Sequence, residues 1–425
     1  MHGHSLAEVF IWIFGAFLGA VWLSRIAVVW WNRKSVADIS TPEYDLPPEI
    51  STPPKEGGMG HPDLPRALPR VSIIVPARNE AEHIEAALGS LLQLDYPDYE
   101  VTAVDDRSDD ATGEMIDLLN SQWREQGEVS HHRLKALHVR ELPPGWLGKI
   151  HAMWKAAQQA TGEWLLFTDA DVVFRPDALK RAMAYAERER ADHVVLFPTM
   201  VMKTVGERMM MAFFQSQFVF AHRPWKVADP KSRDAMGVGA FNLIRRSVYE
   251  KIGTYAALRM AVLDDMMLGE LVKHAGFRQR CVFGQDLLRL RWVIGTFGMV
   301  RGLTKNFFAI LRFNIVFAVA AICGVLLINA GPFVGVWFAH GWARIGYFAA
   351  LFAIAAMYWG MSSMSDISPP YFFLHPVGAV LFAFAMVRSV IVTLDRRGVE
   401  WRGTFYSLPE LRAASAELRA KSNWI

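Results

Sequence analysis

Apolar residues in this chain follow two patterns. Towards both ends they form long, nearly unbroken runs, and through the middle they alternate between short strand-like runs and stripes at helical spacing. Leu6 to Trp31 is the first long run, broken in its interior by Arg25 and flanked by Trp30, Trp31, Arg33 and Lys34. It meets the ~20 apolar residues a bilayer crossing requires, with aromatic and basic residues where the interface lies. Without a basic leader or a small-residue cleavage site, residues 1–34 read as an uncleaved anchor, amino terminus outside and the rest cytosolic. Residues 35–70 shift to Pro, Gly and acidic side chains, the composition of an extended linker. From Val71 the pattern becomes β-α-β. Strand runs at Val71–Val75, Glu100–Val104 and Leu134–Val139 alternate with helical stripes such as Ile84, Leu88, Leu91 and Leu92, and a further strand run begins at Trp164. Repeats of this length predict an α/β domain over 71–288, a mostly parallel sheet with ligands at the carboxyl ends of its strands. Residues 289–313 mix Arg and Lys with Leu, Phe and Trp, the pattern of an amphipathic helix lying in the membrane interface. Between 314 and 395, Asn314–Ala339, Ile345–Met361 and Phe372–Leu394 are long enough to cross, and residues 396–425 form a basic tail. Three crossings would leave that tail outside, whereas Arg396, Arg397 and Arg402 favour the inside. A re-entrant segment, or a bend at Gly331-Pro332, would remove the conflict.

Composition agrees with a chain of two kinds. Its 52% apolar content is high for a soluble enzyme, and 20% charged residues is too many for a protein embedded throughout. A net charge of +3 gives no reason to expect a nucleic-acid partner, and Cys281 and Cys323 provide neither a disulfide framework nor a zinc site.

The chemistry centres on Trp164 to Phe174, where an apolar run meets Asp169 and Asp171. On a strand, side chains two apart point the same way. Two carboxylates so placed beside a buried strand call for a neutralising cation, and hard oxygen donors without Cys or His suit Mg²⁺ or Mn²⁺. A second acidic pair, Asp105-Asp106, also closes a strand run. Val205 to Trp225 is rich in Met, Phe and Trp, which suits either ordinary core or an adaptable lipid or membrane contact.

Four stretches in order, Val71-Ser-Ile-Ile-Val-Pro-Ala-Arg-Asn-Glu80, Val104-Asp-Asp-Arg-Ser-Asp-Asp110, Thr168-Asp-Ala-Asp171 and Leu263-Asp-Asp265, resemble the family 2 glycosyltransferases over about residues 71–292. With Gly145-Trp-Leu-Gly-Lys149, the membrane segments and the tail Gly398 to Tyr406, the chain looks like membrane-bound members that glycosylate lipids, such as ceramide glucosyltransferase-like, hopanoid-associated and carotenoid-glycosylating enzymes. The resemblance implies a GT-A-like, Rossmann-type sheet flanked by helices, with one amino-terminal and about three carboxyl-terminal transmembrane helices.

It also implies roles. Ala77 and Glu80 line the nucleoside, and Asp106 accepts a hydrogen bond from its base, which favours UDP-sugars. Asp169 and Asp171 hold the metal at the donor diphosphate, and Lys149, opening a helix whose amino end favours anions, reaches the same group. Gly237 and Gly239 let backbone approach the sugar. Asp265 is the base that takes the acceptor's proton, with Asp264 where the family usually has Glu; a mere helix cap is the plainer reading of both. The family's Gln-x-x-Arg-Trp is matched either by Arg291 and Trp292 or by Gln285 and Arg289. The implied function is inverting transfer from a nucleotide-sugar to a lipid at the cytosolic face of a multi-pass membrane protein, in the bacterial inner membrane. The alternatives are a processive polysaccharide synthase, a polyprenyl-phosphate sugar transferase and a non-catalytic nucleotide-sugar-binding protein.

Overall fold

A computed structural model describes residues 6–45, 68–125, 134–292, 294–362 and 365–422. The chain divides into two compact units. One comprises residues 36–201 and 226–292 with the last thirteen residues; the other gathers 1–35, 202–225 and 293–412.

The first unit is α/β. Its strands are β1 (Ala37–Asp38), β2 (Val71–Ala77), β3 (Tyr99–Asp106), β4 (Leu134–Val139), β5 (Trp164–Phe167), β6 (Val172–Phe174), β7 (His193–Phe197), β8 (Thr199–Met200), β9 (Asn242–Arg245), β10 (Gln279–Phe283) and β11 (Leu288–Leu290). Eight of them form one sheet in the order β1-β10-β7-β9-β5-β2-β3-β4. Every pairing is parallel except those of β9, which runs antiparallel to β5 and β7. All seven residues of β2 are buried, because helices cover both faces of a parallel sheet and its central strands need no polar side. The mostly parallel α/β sheet expected from the sequence is therefore present. A smaller sheet, β6-β11-β8, stands at the carboxyl end of β5.

Several expectations are corrected. Residues 36–45 are not linker: β1 extends the sheet beside β10, Ile39 is fully buried, and Arg181 donates to the Ile39 and Thr41 carbonyls at 3.0 and 2.8 Å. Most of the remaining linker reading, over 46–67, lies outside the described residues. Asp169 and Asp171 are not on a strand. β5 ends at Phe167, because Thr168 Oγ1 turns to the Ala240 carbonyl (2.8 Å) and the Asp169 N–H to Gly239 (3.1 Å), and the chain reverses through Ala170–Asp171 into β6. Nor is 289–313 one interfacial helix. It holds the end of β11, then helices Thr296–Thr304 and Phe307–Ile310, interrupted by left-handed backbone at Gly295, Arg312 and Phe313.

The second unit is helical. Leu6–Asn32, Gly341–Met361 and Pro369–Asp395 are each long and apolar enough to cross a membrane. Ile315–Asn329 and Gly331–Phe338 pass that test only as a pair, bent by 56°, so the span expected over 314–339 breaks at the Gly-Pro step. The Met- and Phe-rich stretch forms helix Val205–His222, begun by a reciprocal Thr204–Glu207 capping box, and it belongs to this unit. Gln217 bonds Asn329 at 3.0 Å, and the Phe213 ring lies 5.2 Å from that of Phe382. Gly15, Gly19 and Gly346 face one another so closely that added Cβ atoms would strike the opposite helix, the small-residue packing by which membrane helices associate.

Candidate active site

The candidate site residues all lie in the α/β unit, some at the carboxyl ends of its central strands and others at the starts of helices. Ala77, fully buried, closes β2 opposite Asp105 on β3. Glu80 follows in the next turn, its N–H bonded to Thr112 Oγ1 at 2.8 Å. The two aspartates closing β3 have separate partners. Asp105 accepts from Ser108 N–H at 3.0 Å and faces His138 Nδ1 at 3.1 Å. Burial alone would raise its proton affinity, but those bonds more than offset it and hold the carboxyl below its ordinary range. Asp106 is paired at both oxygens with Arg107, at 2.8 and 3.2 Å, and is 2% exposed. Arg107 went unnoticed in the sequence, although an arginine directly after two aspartates was a legible signal.

Helix Gly148–Gln159 starts against this pair. A Cβ on Gly148 would collide with Asp106 and Arg107, so glycine is what lets the helix approach. Lys149, one residue on, lies 2.7 Å from Asp169 Oδ1 and 3.4 Å from Asp264 Oδ2. Burial works against its charge, yet Asp169, Asp264 and Asp265 together raise its proton affinity above the ordinary lysine value. Asp264 is thus part of the lysine's charged shell and more than a cap.

Asp265 opens helix Asp264–His274, as expected. Its Oδ2 accepts the Gly239 N–H at 2.9 Å and its Oδ1 the Met266 N–H at 2.7 Å. Burial first, and repulsion from Asp264 second, push its carboxyl up to about 6 although Lys149 pulls the other way. A carboxylate poised there can accept a proton near neutral pH. Gly237 and Gly239 make this contact possible. A Cβ at 237 would run into the Asp265 backbone, and one at 239 into the Asp169 carboxylate.

Asp169 and Asp171 are both part-exposed in the β5–β6 turn. Their hard oxygen donors fit a divalent cation, and the Lys149 ammonium already places positive charge against Asp169. Among the described residues no group of three or more His, Cys, Asp or Glu converges as a metal cage. The donor set is the kind Mg²⁺ uses when phosphates and water complete its shell. On β11, Leu290 pairs with Val172 in antiparallel register, so Arg291 follows directly after this ladder and Asp171 directly precedes it. Trp292 packs on the core of this unit. The competing pair points elsewhere: Gln285 is exposed and Arg289 is tied to Asp286 at 3.0 Å.

Residues 72–253 match the family model for glycosyl transferase family 2. Among curated relatives, the poly(ribitol-phosphate) beta-N-acetylglucosaminyltransferase TarS of Staphylococcus aureus is 30% identical over 129 residues, 30% of this chain and 20% of its own length. The teichuronic acid biosynthesis glycosyltransferase TuaG of Bacillus subtilis, described as putative, is 28% identical over 28% of this chain and 42% of its own. The PGL/p-HBAD biosynthesis glycosyltransferase of Mycobacterium bovis is 29% identical over 42% of this chain and 65% of its own. The chain therefore spans less than two thirds of each of these relatives. Among solved structures, the mannosyltransferase PcManGT of Pyrobaculum calidifontis, in complex with GDP-Man and Mn²⁺, is 20% identical, with 89% of this chain and 99% of that one covered at a TM-score of 0.49.

Proposed function

Residues 72–253 constitute a family 2 glycosyl transferase domain, and on that basis we propose that the chain transfers a sugar from a nucleotide-sugar to a membrane lipid, with inversion, at the cytosolic face. The observation that carries this reading is the pairing of Asp265, a carboxylate pushed up to about 6, with Lys149 held charged beside Asp169. One group is suited to take a proton from an attacking hydroxyl, the other to face negative charge gathering on a departing diphosphate. TarS has been solved with UDP-GlcNAc and PcManGT with GDP-Man, and a nucleotide-sugar donor is proposed here in the same sense.

Asp169 and Asp171 would hold Mg²⁺ or Mn²⁺, which supplies charge neutralisation at the diphosphate. Ala77 and Glu80 form the floor of the nucleoside end. Asp106 meets the base, uracil by preference, once Arg107 yields one of its two contacts. Lys149 binds the diphosphate from the start of its helix, and the Gly237–Gly239 backbone follows the sugar. Asp265 Oδ2 accepts the acceptor's proton as its oxygen attacks the anomeric carbon from the side opposite the leaving group, while Arg291 and Trp292 border the acceptor's entry. A chain with membrane-length helices suits an acceptor that resides in the bilayer. Treating the bent pair Ile315–Phe338 as re-entrant leaves two crossings after the domain, and places the arginines of the tail on the domain's side.

The test is sugar transfer by purified protein in lipid nanodiscs with Mn²⁺, radiolabelled UDP- and GDP-sugars and a total lipid extract. Wild type should label a lipid, one sugar per acceptor, and Asp265→Asn should bind nucleotide without labelling. Long polymer products would favour a processive synthase, and nucleotide binding without transfer to any lipid would leave a binding protein. Undiminished transfer by Asp265→Asn would refute the base.

A further inference from the structure

A line of buried polar side chains runs behind the base, and none of the roles above uses it. His193, at the start of β7, is fully buried. Its Nδ1 lies 2.8 Å from Gln279 Nε2 on β10, and its Nε2 lies 3.2 Å from Asn242 Oδ1 on β9. Gln279 Oε1 accepts the Met236 N–H at 2.9 Å, while its Nε2 faces the carbonyls of Met236 (2.9 Å) and Gly269 (3.1 Å). Asn242 Nδ2 donates to the Val238 carbonyl at 2.8 Å. These partners orient the Gln279 amide, nitrogen towards acceptors and oxygen towards an N–H. His193 Nδ1 is then an acceptor, and its Nε2 carries the proton that Asn242 receives. A protonated imidazole would turn an Nδ1–H against the Gln279 amide nitrogen, whose two hydrogens already serve three acceptors, so the line requires a neutral ring, and burial lowers the proton affinity of His193 to about 4.

An apolar core could fill this space with less risk, since a half-satisfied polar network is worse than none. What distinguishes the line is where it ends. Its contacts fall on two backbone segments, the 236–239 loop and helix Asp264–His274, and those segments meet at the Gly239 N–H to Asp265 bond. They are closely fitted, as a Cβ on Gly269 would strike the Met236 carbonyl. The same loop residue accepts the Asp169 N–H through its carbonyl at 3.1 Å. Gly239 is therefore a one-residue bridge between the base and the donor-binding turn.

We propose that Gln279, oriented by His193 and Asn242, is a positioning residue that holds Gly239 between Asp265 and Asp169 and so sets the spacing of base and donor. This rests on the reading of Asp265 as the base. The full-length protein in nanodiscs would be compared as wild type, His193→Leu, Gln279→Leu and His193→Gln, the last able both to accept from Gln279 and to donate to Asn242. Amide hydrogen exchange of segments 236–242 and 264–269 is read beside kcat and donor KM. Both Leu variants should exchange there at least about tenfold faster, since each removes two or more buried hydrogen bonds, with β2 and β5 unchanged. Their kcat should fall about 10- to 100-fold, the effect of a misplaced reacting group, with donor KM unchanged and most activity restored in His193→Gln. Unchanged exchange in a folded Leu variant, equal changes in kcat and KM, or a Gln variant no better than Leu would overturn the proposal. If the Leu variants do not fold, Asn242→Ser gives the same readouts through the Val238 carbonyl. Exchange is read without turnover, so a wild type that transfers nothing would sink the glycosyl-transfer reading, while exchange would still decide whether Gln279 holds the 236–239 loop against helix Asp264–His274.

Discussion

Replacing Asp265 with Asn should make the α/β unit more stable while removing its activity. The wild-type carboxyl ionises at about 6 against an ordinary 3.8. A shift of that size, at about 1.4 kcal/mol per unit, is about 3 kcal/mol of ionisation the fold must tolerate at pH 8. The sign follows from the direction. A carboxyl whose folded proton affinity is raised contributes its stability below about pH 4 and loses it as pH rises through 6. Asparagine keeps an oxygen for the Gly239 N–H and never ionises, so the gain should be absent at pH 4 and complete by pH 8. For a unit of this size, about 3 kcal/mol corresponds to about 6–12 °C in Tm. Thermal unfolding followed by tryptophan fluorescence in nanodiscs, in chelator, at pH 4, 6 and 8 would measure it. Equal melting of the two proteins at pH 8, or an equal gain at pH 4 and pH 8, would refute the reasoning.

Lys149→Met leaves Asp169 and Asp264 facing each other without their cation. It should cost about 3 kcal/mol at pH 7 and abolish transfer, as urea unfolding and product assays would record. Gly239→Ala places a methyl against the Asp169 carboxylate. The fold should survive while affinity for Mn²⁺ with UDP, by calorimetry, falls about tenfold, a cost of about 1.4 kcal/mol. Glu100, 1% exposed, accepts from Ser72, Thr161 and Lys135 at 2.7–2.8 Å. Burial opposes its charge, but Lys135 first and then the hydroxyl and amide donors outweigh it and hold the carboxyl at about 2. Its contribution is present above pH 4.5 and fades towards pH 2, so Glu100→Gln should lose about 3 kcal/mol at pH 7 and nothing below pH 2 in denaturant titrations.

The acidic motifs were legible because each closes an apolar run, and a parallel sheet brings the ends of such runs to one edge. Glu80, Asp106, Asp169 and Asp265 could be named that way. Their partners could not. Nothing in the sequence places Lys149 between Asp169 and Asp264, since the three are joined only by the fold. Asp169 and Asp171 were assigned to a strand because the flanking residues are apolar on both sides; the turn arises from contacts with Gly239 and Ala240, some seventy residues on. Gln279, between Arg278 and Arg280, reads as one more exposed polar residue until its bonds to His193, Met236 and Gly269 are known. Helix Val205–His222 was left open between core and membrane contact. It mixes Met and Phe with Glu207, Arg208, Gln215 and Gln217, and only its bonded partners, such as Asn329, assign it to the helical unit.

That assignment bears on the order in which the chain can mature. Helix Val205–His222 leaves the ribosome with Trp22 already available, whereas Asn329 and Phe382, which close over Gln217 and Phe213, come 112 and 169 residues after those partners. At synthesis rates of about 5–20 residues per second, Gln217 and Phe213 wait about 6–35 s for these partners. Through that interval Phe213 stands without the ring that later meets it, although residues 36–201 and 226–292 of the α/β unit have by then been made.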